Sequence, residues 1–184
     1  MKASLQRLAE RADAEGLLDV AYANVDSPFG PLLVAATPRG LVRVNLPAYD
    51  PEQTLEELAT RISPRVLEAP ARLDDARREL DLYFEGRLTE FDLPLDWRLT
   101  DGFRKKVQRA IARIPYGKTR SYTEIARSAG NERAVRAAGT ACGSNPLPIV
   151  VPCHRVLRSG GALGGYGGGL PMKEALLRLE GSLR

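Results

Sequence analysis

Between Asp19 and Leu46 the chain reads DVAYANVDSPFGPLLVAATPRGLVRVNL, three short apolar runs broken by SPFGP and TPRG. Turn signals this closely spaced leave room for strands but not for helices. The spacing predicts three strands, at roughly 20–26, 31–36 and 41–46, joined by hairpin turns. Helical spacing then takes over. Leu55, Leu58 and Ile62 share one face behind Pro51 at a helix start, and Leu73, Ala76, Leu80 and Phe84 share another. Residues 3–15 also read as a polar helix. The first part is therefore expected to be a small α+β unit, and it carries no obvious chemistry.

EGRLTEFDLPLDWRLT has weak periodicity and reads as a connector. Beyond it, Phe103, Val107, Ile111 and Ile114 make one helical stripe, ended by Pro115 and Gly117. Ser121 and Glu124 fit the S-x-x-E capping box, so a helix is expected to start at Ser121. NERAVRAAGTACG reads as a second helix capped by Asn131. Two short helices joined by a tight turn at Gly130 resemble a helix-turn-helix. The second of them is nearly bare, with Ala134, Ala137, Ala138, Gly139 and Ala141, and Arg133 and Arg136 project from it. Small residues allow close backbone approach, either to a nucleic-acid groove or to another helix. In LPMKEALLRLEG, Pro171 and Gly181 bracket a last helix.

Charge divides the chain at the same place. Met1–Gly102 holds 12 Lys/Arg and 19 Asp/Glu, a net of −7; Phe103–Arg184 holds 15 and 4, a net of +11. An acidic first part and a basic second part suggest two domains, with boundaries at 1–97 and 98–184, the second facing a polyanion or simply water. No run of about 18 apolar residues suggests a membrane span. The polar start lacks the apolar region of a secretory signal, so a cytoplasmic location is expected. Two cysteines argue against a disulfide framework, and with one histidine they cannot assemble a four-ligand Cys/His zinc site.

The only histidine follows one of those cysteines directly, in IVVPCHRVLRSGG. A free thiol has a pKa of about 8.5, so a base or a positive charge must help it become a nucleophile. His154 is the only imidazole available to Cys153. Neighbours in an extended segment point to opposite sides, so either a turn or a relaying water is needed to connect them. The histidine also needs an orienting acceptor, and the basic part offers Glu124, Glu132, Glu174 and Glu180. Cys142, on the alanine-rich helix, reads as a small core residue.

VPCHRV, together with IPYGKTRSYTEIARSAGN, RAVRAAGTACGSNPLPIV and GGYGGGLPMKEALLRLEG, resembles the O6-alkylguanine-DNA alkyltransferase family, the methylated-DNA–protein-cysteine methyltransferases. The likeness covers most of residues 103–181, and SPFGPLLVAATPRGL extends it more generally into the first part. It implies a small RNase H-like α/β domain followed by a mostly helical domain with a winged helix-turn-helix. It implies Cys153 as the alkyl-accepting nucleophile, His154 as its base acting through a water, and Glu180 as the carboxylate that orients His154. Tyr122 would crowd the target phosphate and help protonate the departing guanine, with Lys173 near the leaving group. Arg136 would fill the gap left by an extruded base. Thr123, Asn131 and Ser159 would contact the DNA backbone. Asn145 would be the hinge between recognition helix and active-site strand, with Arg155 and Tyr166 as structural or pocket residues. Gly167 stands where some relatives carry serine, so one donor hydroxyl to the base would be missing.

The expected partner is double-stranded DNA carrying O6-alkylguanine, with O4-alkylthymine a second candidate. No cofactor is implied, because the damaged DNA is itself the alkyl donor and the protein is consumed. Relatives with a structural zinc hold it by Cys and His of the first domain, and this chain has none before Cys142, so no metal is expected. A monomer is expected, with cooperative binding along DNA left open. Three other classes compete. A non-catalytic lesion-binding module lacks the accepting cysteine, which this chain has. A cysteine hydrolase needs an oxyanion hole, for which no motif is evident. A helix-turn-helix regulator leaves PCHR without a role.

Overall fold

The computed structural model describes residues 14–183 together with 7, 9, 11 and 12. The polar helix expected over 3–15 therefore falls largely outside the described residues. Three strands follow, β1 (Val20–Val25), β2 (Leu32–Thr37) and β3 (Gly40–Asn45), paired antiparallel in sequence order. Helix α1 (Pro51–Arg61) starts at Asp50, whose carboxylate accepts the Glu52 amide. A fourth strand, β4 (Val66–Glu68), runs parallel to β1 and completes a sheet of order β3-β2-β1-β4. It is too short and too mixed in composition to announce itself in the sequence. A 3₁₀ turn at Pro70–Leu73 leads into helix α2 (Asp74–Phe84).

The sheet is buried on both faces. Val20, Ala35 and Val42 pack with Leu58 of α1 and Leu99, while Val25, Leu32, Val34 and Val44 face Leu73, Ala76, Leu80 and Tyr83. Double-sided burial explains why β2, LLVAAT, is apolar nearly throughout instead of alternating. Gly40 makes the β2–β3 turn at φ 132° and lies against the Pro94 carbonyl. That contact lets the connector run beside β3, where Leu41 bridges Leu95.

The second part holds α3 (Gly102–Ala112), the two-residue strand β5 (Arg120–Ser121), α4 (Tyr122–Ser128), α5 (Val135–Gly143), β6 (Val156–Leu157) and α6 (Leu170–Leu179). The expected capping box is present: the Ser121 hydroxyl accepts the Glu124 amide and the Glu124 carboxylate accepts the Ser121 amide. Asn131 does not cap α5, which begins four residues later. Its side chain instead accepts the Arg133 amide, closing a turn between α4 and α5. One buried cluster runs from the inner sheet face through Val107 and Ile111 to Ile149, Val156 and Leu176, so both parts share a core. Among the described residues no helix is long and apolar enough to cross a membrane.

Candidate active site

The chain does not pass through Cys153 and His154 as an extended segment. Cys153–Arg155 forms one turn of 3₁₀ helix behind Pro152, and Val156 then enters β6. The approach to this turn is strained. Ile149 is a fully buried β-branched residue at φ 74°, a backbone region that such residues avoid. Asn145, just past α5, holds the bend: its Nδ2 donates to the Val151 carbonyl at 2.7 Å and its Oδ1 accepts the Leu147 amide at 3.0 Å. One amide side chain thus ties the end of the helix-turn-helix to the turn that presents the thiol.

Both members of the Cys-His pair are buried. His154 Nε2 lies 2.8 Å from Glu180 Oε1, and Nδ1 has no hydrogen-bond partner among the described residues. Glu180, just past the end of α6, is the one of the four candidate carboxylates that reaches the imidazole. Arg155 grips it from the next position in the turn, with Nε on Oε2 at 2.8 Å and Nη2 on Oε1 at 2.9 Å. Its Nη1 donates to the Ile114 carbonyl at 2.5 Å. Burial pushes the Glu180 carboxyl up, but hydrogen bonds from His154 and Arg155 prevail and bring it down to about 2. Burial lowers His154 despite the carboxylate beside it. An ionised Glu180 facing a neutral imidazole requires Nε2 to carry the proton, which leaves the Nδ1 lone pair free to accept one.

Burial is also the main influence on the Cys153 thiol, and it raises the pKa. A hydrogen bond from Asn145, the positive charge of Lys173, and the backbone amides of Cys153 and His154 oppose it. Lys173, fully buried on α6, donates from Nζ to the carbonyls of Val156 at 2.7 Å and Gly164 at 3.3 Å. It therefore joins β6 to the glycine-rich segment 164–169. Cys142 is buried on α5 and raised to about 12, mainly by burial.

Tyr122, the first residue of α4, lies with its ring against Gly164, where a β-carbon would overlap it. Burial raises its phenol, with the Cys142 and Cys153 sulfurs as lesser influences. Tyr166 presents its ring edge-on to His154, centroids 6.4 Å apart, and its buried hydroxyl has no partner among the described residues. Gly167 adjoins the hydroxyl of Tyr49, from the loop after β3. Parallel pairing of Ser121 with Leu157 sets the start of α4, with Thr123, beside the exposed turn that carries Ser159. Asn131 and Arg136 are exposed near the start of α5. No hydrogen bond among the described residues links Asn131, Arg136 or Ser159 to the Cys153–Glu180 cluster.

The sequence reading missed Tyr83. This α2 residue, 1% exposed, donates its hydroxyl to Glu180 Oε1 at 2.6 Å and lies 3.5 Å from His154 Nε2. The available signal was a polar-tipped aromatic beside the apolar stripe that ends in Phe84. Tyr116 was missed as well; it donates to the Leu179 carbonyl at 3.0 Å, under the Arg155 guanidinium.

The DNA-binding-domain profile of 6-O-methylguanine DNA methyltransferase matches residues 102–182, and the ribonuclease-like-domain profile of the same family matches residues 20–97. The chain belongs to this family. A methylated-DNA–protein-cysteine methyltransferase of Mycobacterium tuberculosis is 48% identical over 161 residues, covering 88% of this chain and 92% of the relative. One from Methanosarcina acetivorans is 43% identical over 161 residues, 88% and 98% of the two chains. The crystal structure of the M. tuberculosis O6-methylguanine methyltransferase superposes with a TM-score of 0.73 at 42% identity, covering 90% of this chain and 94% of that one. The M. tuberculosis protein in complex with DNA gives 0.75 at 42% identity, covering 88% and 93%. The α+β architecture expected from the sequence, a ribonuclease-like part followed by a DNA-binding part, is the family's.

Proposed function

We propose that this chain repairs duplex DNA by transferring the alkyl group of O6-alkylguanine irreversibly to its own Cys153, one repair per molecule. The observation that carries this reading is the turn Cys153–Arg155 closed on Glu180. It holds a neutral imidazole with Nε2 committed to a carboxylate and Nδ1 free as a base, one residue from the thiol. His154 takes the thiol proton through one water. The thiolate attacks the alkyl carbon, the S–C bond forms, and the C–O6 bond breaks with its electron pair passing to guanine. Tyr122 helps protonate the departing base, so the thiol proton is balanced by a proton on guanine. Thiolate is the soft nucleophile suited to an sp3 carbon, and the thioether product does not hydrolyse. The resting thiol stays protonated because it is buried, so deprotonation is coupled to transfer.

The target atom is inaccessible in a stacked duplex, so the nucleotide has to be flipped out at a cost of a few kcal/mol. Arg136 is suited to fill the vacated place. Thr123, Asn131 and Ser159 hold the backbone, and Asn145 and Tyr166 shape the pocket. O4-alkylthymine poses the same problem and is a second candidate substrate. The protein works in the cytoplasm as a monomer and without a cofactor.

Intact-mass measurement after mixing with methylated-guanine duplex tests this reading. One methyl group per chain, mapped to the Cys153 peptide, is expected. Cys153→Ser should lose transfer and keep DNA binding, and a methyl group still acquired by that variant would place the nucleophile elsewhere. Arg136→Ala should slow duplex repair at least about tenfold while leaving reaction with free O6-benzylguanine within about twofold, as expected for an inserted side chain. Equal losses on both substrates would remove that role.

A further inference from the structure

Among the described residues, the first part of the chain contributes one hydrogen-bonding group to the buried cluster around His154. Tyr83 reaches across from α2, and its ring packs among Phe84, Phe91 and Tyr116 at centroid distances of 5.5, 5.3 and 6.3 Å. Phenylalanine would satisfy all of that packing. A hydroxyl in such surroundings is costly unless it is paired, and this one is aimed at Glu180 Oε1, the same oxygen that accepts from His154 Nε2. Glu180 already receives two bonds from Arg155. Packing and ion pairing alone therefore leave the phenol unexplained.

We infer that Tyr83 is a positioning residue for alkyl transfer: its hydroxyl fixes the Glu180 carboxylate and moderates the charge that this carboxylate presents to His154. The inference rests on the alkyl-transfer reading above. The groups facing the imidazole are Glu180 from the end of α6, Tyr83 from α2, Tyr166 from the glycine-rich segment, Arg155 from its own turn, and the more distant charge of Lys173. Of these, Tyr83 and Arg155 share Glu180 Oε1 with His154. Removing the phenol leaves more negative charge on that oxygen. More charge favours the imidazolium, so His154 becomes harder to deprotonate and less base is present at a given pH.

His154 is the only histidine in the chain, so its titration can be followed in histidine-labelled protein without assignment. In Tyr83→Phe the imidazole midpoint, read by nitrogen-15 NMR, is expected to rise by about half a unit or more. The acid limb of single-turnover reaction with O6-benzylguanine should rise with it. Duplex binding should stay within about twofold of wild type, since the residues proposed to contact DNA lie elsewhere. 3,5-Difluorotyrosine at position 83, a stronger donor of the same shape, should move both readings downward, and it serves if the phenylalanine variant does not fold. A midpoint that stays put, or that stays below the range of folded protein in both variants, overturns the inference. So does an unmoved acid limb, whether or not the rate falls. Wild-type protein that acquires no alkyl group at all would instead overturn the alkyl-transfer reading.

Discussion

Glu180 and His154 show how one buried contact can set two groups in opposite ways. The carboxylate is accepted into the interior because four donor bonds surround it, two of them from Arg155; the imidazole stays neutral because burial outweighs that same carboxylate. The two also bias stability in one direction. Glu180 is lowered to about 2 from an ordinary 4.5, so its contribution is complete above 4.5 and is lost as pH falls toward 2. His154 is lowered from 6.5, so the unfolded chain binds its proton first and acid destabilises the fold from about 6.5 downward. Glu180→Gln leaves the Arg155 guanidinium buried without its counter-charge, a change that typically costs about 3–5 kcal/mol. Urea unfolding across pH 3–7 should show the gap between wild type and variant widest above 4.5 and narrowing in acid. A gap of constant size across that range would mean that Glu180 is not held as the anion.

At the scale of elements, the sequence was informative wherever local chemistry decides the outcome. The three strands fell within a residue or so of their expected places because SPFGP and TPRG are turn signals, and α4 began where Ser121 and Glu124 said it would. The start of α5 was misplaced because Asn131 serves equally well in a turn as in a helix cap. β4 was not legible, since pairing with β1 decides it and leaves no periodic trace, and the turn at Cys153 stood in the sequence only as one of two ways to connect the thiol with its imidazole. Residue roles at the site came from likeness of motif, whereas Tyr83 lies 71 residues from His154 and is brought there only by the shared core. Gly40 gives this scale its test. It combines φ 132° with the Pro94 carbonyl where a β-carbon would stand, and the obstacle is backbone rather than a movable side chain. Gly40→Ala should cost about 3 kcal/mol or more and lower Tm accordingly. Gly139→Ala, at an open helical position with nothing within 4 Å, should be neutral or slightly stabilising, by less than about 1 kcal/mol. Equal melting temperatures for the two variants would contradict the close approach of connector to hairpin.

At the scale of the whole molecule, charge and chemistry are divided differently. Net charge separates the chain into a part of −7 and a part of +11, yet Tyr83 from the acidic part completes the cluster around the histidine of the basic part. Leu46 and Tyr49, also from the acidic part, rest against Gly168 and Gly167 in the glycine-rich segment. The acidic part thus buttresses the site, while the net positive charge lies in the part of the chain that holds α4 and α5. This asymmetry has a measurable consequence under the proposed function. If the basic part neutralises even three phosphates, duplex affinity should fall about 40-fold between 50 and 200 mM monovalent salt, because counterions are released on binding. Arg136→Ala should lower the slope of log affinity against log salt by at most about one phosphate's worth. The reaction with free O6-benzylguanine involves no polyanion and should be nearly insensitive to salt over the same range. If duplex affinity is instead flat with salt, the net charge of +11 is only a solvated surface, and recognition of DNA has to come from the pocket alone.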